Sequence, residues 1–202
     1  IVNLYPFEET LYKNNSTISD CIENIDIGGP SLIRGAAKNY KSVVVLSSPS
    51  QYDKFVSEMK KNNNNLNLEF RKELAMEAFQ NTSYYDSIIS KWLTKGDYIL
   101  VNENSALPLK KLRQLRYGEN PHQTAALFSL GKNKLEQISG KDLSYNNIND
   151  LEIAMELADQ FQKKSCVILK HGNPCGVSLD NDQHKAYKKA LQCDPTSAFG
   201  GI

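Results

Sequence analysis

The sequence predicts an α/β protein, because short apolar runs typical of strands alternate with longer segments of helical periodicity. Lys41–Ser47 and Cys166–Leu169 are apolar runs suited to buried strands. Apolar residues recur at helical spacing from Tyr52 to Met59 and again from Leu68 to Trp92. We therefore expect amphipathic helices packed on sheets.

Length and charge bound the class of protein. The chain has 202 residues, enough for one large or two small domains, and its formal net charge is +1. This charge gives no global case for binding nucleic acid or an anionic membrane. The longest apolar runs fall far short of the ~20 residues of a membrane-spanning helix. We expect small-molecule ligands, with neither nucleic acid nor membrane as a partner.

The cysteines indicate a reducing compartment. The four cysteines are widely spaced, and none forms a CxxC pair. This predicts free thiols and a cytoplasmic protein. The segment Pro174–Gly176, PCG, resembles half of a zinc-deaminase signature, but the second cysteine and an upstream H-x-E are absent. We therefore expect no metal site.

A glycine turn marks a possible anion site in the first half. Ile1–Leu4 reads as the end of a strand, and Thr17 or Ser19 is suited to cap a short helix ending near Asn24. After Gly28 and Gly29, the sequence predicts a helix at about 30–39, with Pro30 in its first turn. The first N–H groups of such a helix can bind an anion.

The remaining elements follow in order. Ser48 caps a predicted helix from Pro49 to about Lys61, and a second helix from Asn67 to Leu93 is expected to be interrupted or bent near 80–83. Residues 98–111 change in composition and are the best candidate for a domain boundary. Beyond them the sequence predicts a strand at 125–129, helices at about 149–162 and 182–191, and a small-residue turn at the end.

A lysine–histidine pair follows the strand Cys166–Leu169. Gly172 and Pro174 come next and are expected to end regular structure, which leaves Lys170 and His171 at the end of the strand. Histidine can move protons near neutral pH, and lysine can stabilise negative charge. A surface lysine beside a loop histidine is the simpler explanation of these local residues alone.

Six segments together point to a family. They occur in this order: NLYPF, IDIGGPSLIRGAAKN, LRYGENPHQ, LSYNNIND, KHGNPCG and DPTSAFGG. The sequence closely resembles bifunctional purine-biosynthesis enzymes that combine AICAR transformylase with IMP cyclohydrolase. The resemblance implies the C-terminal half of a methylglyoxal-synthase-like α/β domain at 1–105, followed by the start of a cytidine-deaminase-like α/β domain without zinc at 112–202. Both ends run into sequence of folded type, so we expect a part of a longer protein.

The resemblance implies the last two steps of IMP synthesis. AICAR takes a formyl group from 10-formyltetrahydrofolate, the folate cosubstrate, and formyl-AICAR then closes its ring to IMP with loss of water. His171 is implied to move the proton of the attacking amine, and Lys170 to stabilise developing charge. A homodimer with a shared transformylase site is also implied.

The implied nucleotide-binding positions of the transformylase half are Arg116, Tyr117, Asn146, Asn173, Ser197, Phe199 and Gly200. Arginine suits phosphate or carboxamide contacts, and Phe199 would stack on the aminoimidazole. A surface salt bridge for Arg116 and a core position for Phe199 are the structural alternatives.

The cyclohydrolase half has its own implied set. Tyr5, Asp26 and Lys38 match residues around the cyclising substrate, and Asn3, Gly28 and Gly29 match its binding surface. The alternative is an aspartate near a helix start beside a solvated lysine. Two rival functions stay open for the chain: a non-catalytic nucleotide-binding module, and a zinc deaminase.

Overall fold

The computed structural model describes residues 1–94, 103–131 and 136–199 of the chain. It divides into two compact units, Ile1–Leu109 and Lys110–Ile202. The predicted boundary segment 98–111 lies partly outside the described residues. Both helices and strands are present, so the chain is a mixed α/β protein.

The first unit is helical in its described part. Its helices are α1 (Phe7–Tyr12), α2 (Ile18–Glu23), α3 (Gly28–Lys38), α4 (Tyr52–Lys61) and α5 (Leu68–Leu93), with a 3-10 turn at Pro49–Gln51 ahead of α4. Helix α5 supplies buried residues to all three apolar clusters of this unit. It is therefore the element on which α1, α3 and the segment before α4 pack.

Two predicted helix starts are confirmed by their caps. Thr17 accepts a hydrogen bond from the backbone of Asp20, and the Asp20 carboxylate accepts one from the backbone N–H of Thr17. Ser48 forms the corresponding capping box with Gln51. Such reciprocal bonds satisfy backbone donors that a helix start leaves unpaired.

The expected interruption of α5 near 80–83 is wrong. The helix runs without a break from Leu68 to Leu93. Thr82 is fully buried, and its hydroxyl donates to the carbonyl of Phe79 at 3.2 Å. Because that polar group is satisfied within the helix, a hydroxyl in the core does not require a break.

The strands expected in the first unit are not assigned. The expected strands were Ile1–Leu4 and Lys41–Ser47. The backbone N–H of Val2 donates to the carbonyl of Leu46 at 3.0 Å, but the described residues of this unit contain no strand ladder. Val45 packs with Ile33 and Ala78 in the core. The end of the run Lys41–Ser47 is therefore buried against helices. It is not a strand in the described structure, because a strand ladder requires a neighbouring strand.

The described residues of the second unit form two antiparallel strand pairs and two helices. Its elements are β1 (Lys110–Gln114), β2 (Ala126–Ser129), α6 (Tyr145–Asp159), β3 (Ser165–Lys170), β4 (Asn173–Leu179) and α7 (Gln183–Cys193). Strand β1 pairs with β2, and β3 pairs with β4. Helix α6 packs on β3, and α7 packs on both β3 and β4.

Helix α6 begins four residues before the predicted Asn149. Ser144 caps it, accepting from the backbone of Asn147, whose side chain accepts from the backbone of Ser144 in return. Residues 145–148, which precede the predicted helix, therefore form its first turn. Asparagine at the third helical position takes the place of the usual glutamate or glutamine of a capping box.

Strand β4 was not predicted, and Gly176 shows how it packs. A Cβ atom on Gly176 would lie 2.9 Å from the carbonyl carbon of Ala190 in α7, and even closer to its oxygen. The absence of a side chain thus lets strand and helix approach closely. In the described part of the chain, none of the helices has the length and apolar character needed to cross a membrane.

Candidate functional site

The Lys–His pair lies at the tip of a tight hairpin. Lys170 ends β3 and pairs with Asn173 at the start of β4, so His171 and Gly172 form a two-residue turn. Both turn residues have positive φ, 53° for His171 and 73° for Gly172. These values are typical of the hairpin turn that matches strand twist. The expectation that regular structure ends after His171 is wrong, because β4 begins only two residues later.

Lys170 reaches the turn that follows α7. Its Nζ donates to the carbonyl oxygen of Phe199 at 2.8 Å. Within that turn the Asp194 carboxylate accepts from the backbone N–H of Ser197 at 2.9 Å. Hydrogen bonds from Ser197 and the nearby Lys170 charge hold the pKa of Asp194 below its usual range. Lys170 and the predicted residues Ser197 and Phe199 are therefore brought together.

The Phe199 ring is available to a ligand in the described structure. Phe199 is 85% exposed, so it does not belong to the core formed by the described residues. Gly200, predicted to belong to the same turn, lies outside the described residues. The Asn173 side chain is exposed beside the turn and donates to the carbonyl of His171 at 3.0 Å.

The Arg116–Gln123 loop docks on the start of α6. The carbonyl of Tyr117 accepts from the backbone N–H of Tyr145, and the side chain of Asn146 donates to the carbonyl of Glu119 at 3.2 Å. The Arg116 guanidinium lies 4.8 Å from the centre of the Tyr117 ring and donates to its hydroxyl at 3.1 Å. Arg116 forms no ion pair with a carboxylate of the described residues, which leaves its charge free for an anionic ligand.

One face of α6 links these two groups of residues. Asn146 contacts the Arg116 loop, and Asp150, one turn further on, accepts from the backbone N–H of Gly172 at 2.7 Å. Residues four apart lie on the same helix face. Sequence reasoning missed Asp150, although its position one helical turn after Asn146 was available as a signal.

The first unit brings Tyr5 and Asp26 together. One oxygen of the Asp26 carboxylate accepts from the backbone N–H of Gly29 at 2.6 Å, and the other accepts from the backbone N–H of Tyr5 at 3.3 Å. A Cβ on Gly29 would lie 2.7 Å from Asp26 Cγ, so the contact requires glycine. The anion at the start of α3 is therefore the Asp26 carboxylate, and the helix begins at Gly28 rather than Pro30.

Lys38 and Asn3 lie away from this carboxylate. Lys38 is the last residue of α3, roughly 15 Å of helix rise from Gly28, and is exposed. The structure gives it no contact with Asp26 or Tyr5. The amide of Asn3 donates to the Tyr52 hydroxyl at 2.8 Å. The structure therefore groups Tyr5 and Asp26 with Gly28 and Gly29.

The histidines, cysteines and carboxylates of residues 1–94, 103–131 and 136–199 form no group of three that could hold a metal ion. The four cysteines are unbonded, and burial raises the pKa of the Cys166 thiol. The hairpin tip, the Phe199 turn and the Arg116 loop supply lysine, histidine, arginine, amide and aromatic groups. Such groups suit an anionic heteroaromatic ligand.

The comparison with protein families places the chain in one class. The model of the family described as "AICARFT/IMPCHase bienzyme" matches residues 36–202. The chain therefore belongs to the AICARFT/IMPCHase bienzyme family, as the six sequence segments predicted.

A curated relative carries the comparison over the whole chain. The sequence is 47% identical over 207 residues to the bifunctional purine biosynthesis protein PurH of Thermoanaerobacter sp. (strain X514). The match covers 100% of this chain and 41% of the relative. The chain thus spans about two fifths of the length of that protein.

Proposed function

We propose that this chain contributes parts of two active sites, one for formyl transfer to AICAR and one for ring closure of formyl-AICAR to IMP. Residues 1–105 are assigned to a methylglyoxal-synthase-like cyclohydrolase domain, and residues 112–202 to a cytidine-deaminase-like transformylase domain without zinc. The formyl donor is 10-formyltetrahydrofolate. Family membership and the name of the relative support this assignment.

The contact between Lys170 and the Phe199 turn carries the proposal. The Nζ of Lys170 gives one hydrogen bond to the Phe199 carbonyl and retains two N–H donors. His171 lies beside it on a turn of defined geometry, and Phe199, whose carbonyl accepts the Lys170 bond, is exposed. A planar aminoimidazole stacked on Phe199 would then lie near both Lys170 and His171.

The formyl-transfer step can be written with these residues. The 5-amino nitrogen of AICAR attacks the formyl carbon, and the bond between that carbon and the folate nitrogen breaks to release tetrahydrofolate. His171 accepts the proton that the amine loses and returns it to the leaving folate nitrogen, and Lys170 stabilises the tetrahedral oxyanion. An arylamine beside a carboxamide is a poor nucleophile, so both contributions are needed.

Nucleotide binding is assigned to the loop that docks on the start of α6. Arg116 is free of ion pairs with carboxylates of the described residues and stacks on Tyr117, which leaves its outward N–H groups for phosphate or carboxamide oxygens. Asn146 holds the backbone of the same loop through Glu119. Asn173 and Ser197 complete the binding surface near the hairpin tip.

The ring-closure step is assigned to Tyr5, Asp26 and Lys38. The carboxamide nitrogen of formyl-AICAR attacks the formyl carbon, and water leaves. The Asp26 carboxylate is oriented by two backbone N–H groups, which suits it to accept the amide proton. Lys38 lies at the far end of α3 and keeps its place in this set through the resemblance alone, and Asn3, Gly28 and Gly29 are proposed to form the binding surface.

The test uses the whole protein that contains this sequence. Wild-type protein should convert AICAR and 10-formyltetrahydrofolate to IMP. His171→Ala should lower kcat of formyl transfer by about 10²–10⁴-fold and change AICAR affinity little. Ring closure measured from formyl-AICAR should be unchanged, and His184→Ala, at an exposed histidine of α7, is the matched control.

Three results would overturn the proposal. Formyl transfer at the wild-type rate in His171→Ala would remove the catalytic assignment. Binding of AICAR without turnover by the wild-type protein would favour a nucleotide-binding module. Stoichiometric zinc together with ammonia release from a nucleoside would favour a deaminase.

The proposed setting is a homodimer in the cytoplasm that shares its transformylase site between subunits. Sedimentation of the whole protein at micromolar concentration tests the dimer. An active monomer would contradict it.

A further inference from the structure

Asp150 is the buried carboxylate of the second unit. Its residue is 8% exposed, and it is the only aspartate or glutamate in the buried class among the described residues. One carboxylate oxygen accepts a short hydrogen bond, 2.7 Å, from the backbone N–H of Gly172. Removing a carboxylate from water is costly unless it is well hydrogen-bonded. Packing alone therefore does not explain why a carboxylate is buried at position 150.

The turn that donates this hydrogen bond is intrinsically strained. A side chain at positive φ costs roughly 1–2 kcal/mol, because Cβ crowds the following carbonyl oxygen. Glycine escapes this cost, but the first turn residue is His171, at φ 53°. Asparagine or glycine is the usual choice there. The bond from Gly172 to Asp150 holds the turn from outside the hairpin.

Asp150 also joins the two ends of the candidate site. Asn146 fixes the loop that carries Arg116 and Tyr117, and Asp150 fixes the turn that carries His171. The two anchors are four residues apart on one rigid helix, about 6 Å along its axis. Ile153, the next residue of this face, has its Cδ1 3.7 Å from where a Cβ on Gly172 would lie.

We propose that Asp150 is a positioning residue for formyl transfer, which fixes His171 at a set distance from the nucleotide-binding loop on α6. The inference rests on the proposed function of this site. Asp150 does not touch the reacting atoms. It acts through the backbone of Gly172, and its loss displaces the histidine rather than removing a catalytic group.

The test compares two substitutions of nearly equal size in the whole protein. Asp150→Asn keeps an oxygen that accepts from Gly172, whereas Asp150→Leu removes the acceptor and fills the same space with apolar atoms. Displacement of a catalytic group by about 1 Å costs on the order of 100-fold in rate. We expect Asp150→Leu to lower kcat of formyl transfer by about 10–100-fold with a KM for AICAR within about threefold of wild type. Asp150→Asn should recover most of that kcat.

Two further measurements and a control variant separate positioning from general damage. Ring closure from formyl-AICAR should be unchanged in both variants, since that site is assigned to the other unit. Hydrogen exchange of a peptide containing Gly172 should be faster in Asp150→Leu than in Asp150→Asn. Glu156→Ala, at an exposed carboxylate of the same helix, should behave as wild type in all three assays.

A second variant keeps the test decisive if Asp150→Leu does not fold. Gly172→Ala retains Asp150 but strains the turn at φ 73°, and should also lower kcat while leaving KM nearly unchanged. Wild-type kcat in Asp150→Leu or in Gly172→Ala would overturn the inference, as would equal kcat losses in the Asn and Leu variants. Absence of formyl transfer in the wild-type protein would instead overturn the proposed function, and the exchange measurement would still test the contact.

Discussion

The phenol oxygen of Tyr85 lies 2.8 Å from the backbone nitrogen of Asp26 and accepts its N–H hydrogen bond. The same hydroxyl donates to the carbonyl of Asn24 at 2.8 Å. Tyr85 is 7% exposed and comes from the middle of α5, 59 residues further along the chain. Burial raises the pKa of its phenol. The long helix thus fixes the chain reversal that aims the Asp26 carboxylate at Gly29 and Tyr5.

Tyr85→Phe should impair ring closure selectively. The substitution removes both hydrogen bonds to the reversal and leaves its backbone donor at Asp26 unpaired, so the carboxylate loses its fixed orientation. We expect kcat of ring closure from formyl-AICAR to fall about tenfold or more, with formyl transfer unchanged.

Tyr84→Phe is the matched control for that experiment. Tyr84 is the neighbouring residue of α5, and its hydroxyl donates to the Glu8 carboxylate at 3.0 Å, away from Asp26. Ring closure should stay near the wild-type rate in this variant. Equal losses in both variants would assign the effect of Tyr85 to stability alone.

Phe199→Ala should weaken AICAR binding more than it slows catalysis. The ring is 85% exposed, so its removal creates no cavity, whereas Lys170 binds the backbone carbonyl and keeps its partner. Loss of a stacked ring is worth about 0.5–1.5 kcal/mol beyond its buried area, which corresponds to roughly two- to twelvefold in KM for AICAR. Phe128→Ala, at a half-exposed aromatic of β2, is the control, and an unchanged KM in Phe199→Ala would contradict the stacking role.

Gly176→Ala should destabilise the second unit. The added methyl would collide with the backbone carbonyl of Ala190, so β4 and α7 must separate. Forced overpacking of this kind costs about 1–3 kcal/mol. Gly35→Ala is the control, because a Cβ on Gly35 in α3 meets nothing within 4 Å and alanine favours a helix by up to about 1 kcal/mol. Thermal unfolding of both variants measures the difference; an unchanged midpoint for Gly176→Ala would refute the close approach.

Stability of the first unit should fall above about pH 10 because of Tyr84. Burial, together with the hydrogen bond to Glu8, raises the pKa of Tyr84 above its usual value. The phenol ionises near pH 10 in the unfolded chain but stays protonated to higher pH in the folded one. Its contribution to the free energy of unfolding is therefore complete below about pH 10 and is lost as the pH rises further. For one titrating group the free energy of unfolding can fall by at most about 1.4 kcal/mol per pH unit.

Denaturant unfolding followed by the single tryptophan, Trp92, reports on this region, since its ring packs against Phe7 in the same cluster. Tyr84→Phe should show a shallower loss of stability between pH 10 and 11 than wild type. Identical pH dependence in the two proteins would rule out a contribution from Tyr84.

Local signals predicted the capped helix starts and the strands β2 and β3, but they missed β1 and β4 and placed the starts of α3 and α6 two and four residues late. The caps at Thr17 and Ser48 were correctly predicted because a capping box is a property of four consecutive residues. Lys110–Gln114 reads as polar and was not predicted as a strand, since its pairing partner Ala126–Ser129 lies more than ten residues away. The apolar run Lys41–Ser47 was predicted as a strand and is not one in the described structure. Apolar character predicts burial but does not supply a neighbouring strand.

The sequence by itself determined the family of this protein and most of its candidate site residues. Motif order along the chain is a one-dimensional property, and it was enough to name Lys170, His171, Arg116 and Asp26. Only the tertiary structure decided which of these residues lie close together, and which other residues hold them in place. Asp150 and Tyr85 act through backbone N–H groups of residues distant in sequence, and such contacts are created only when the chain folds back on itself.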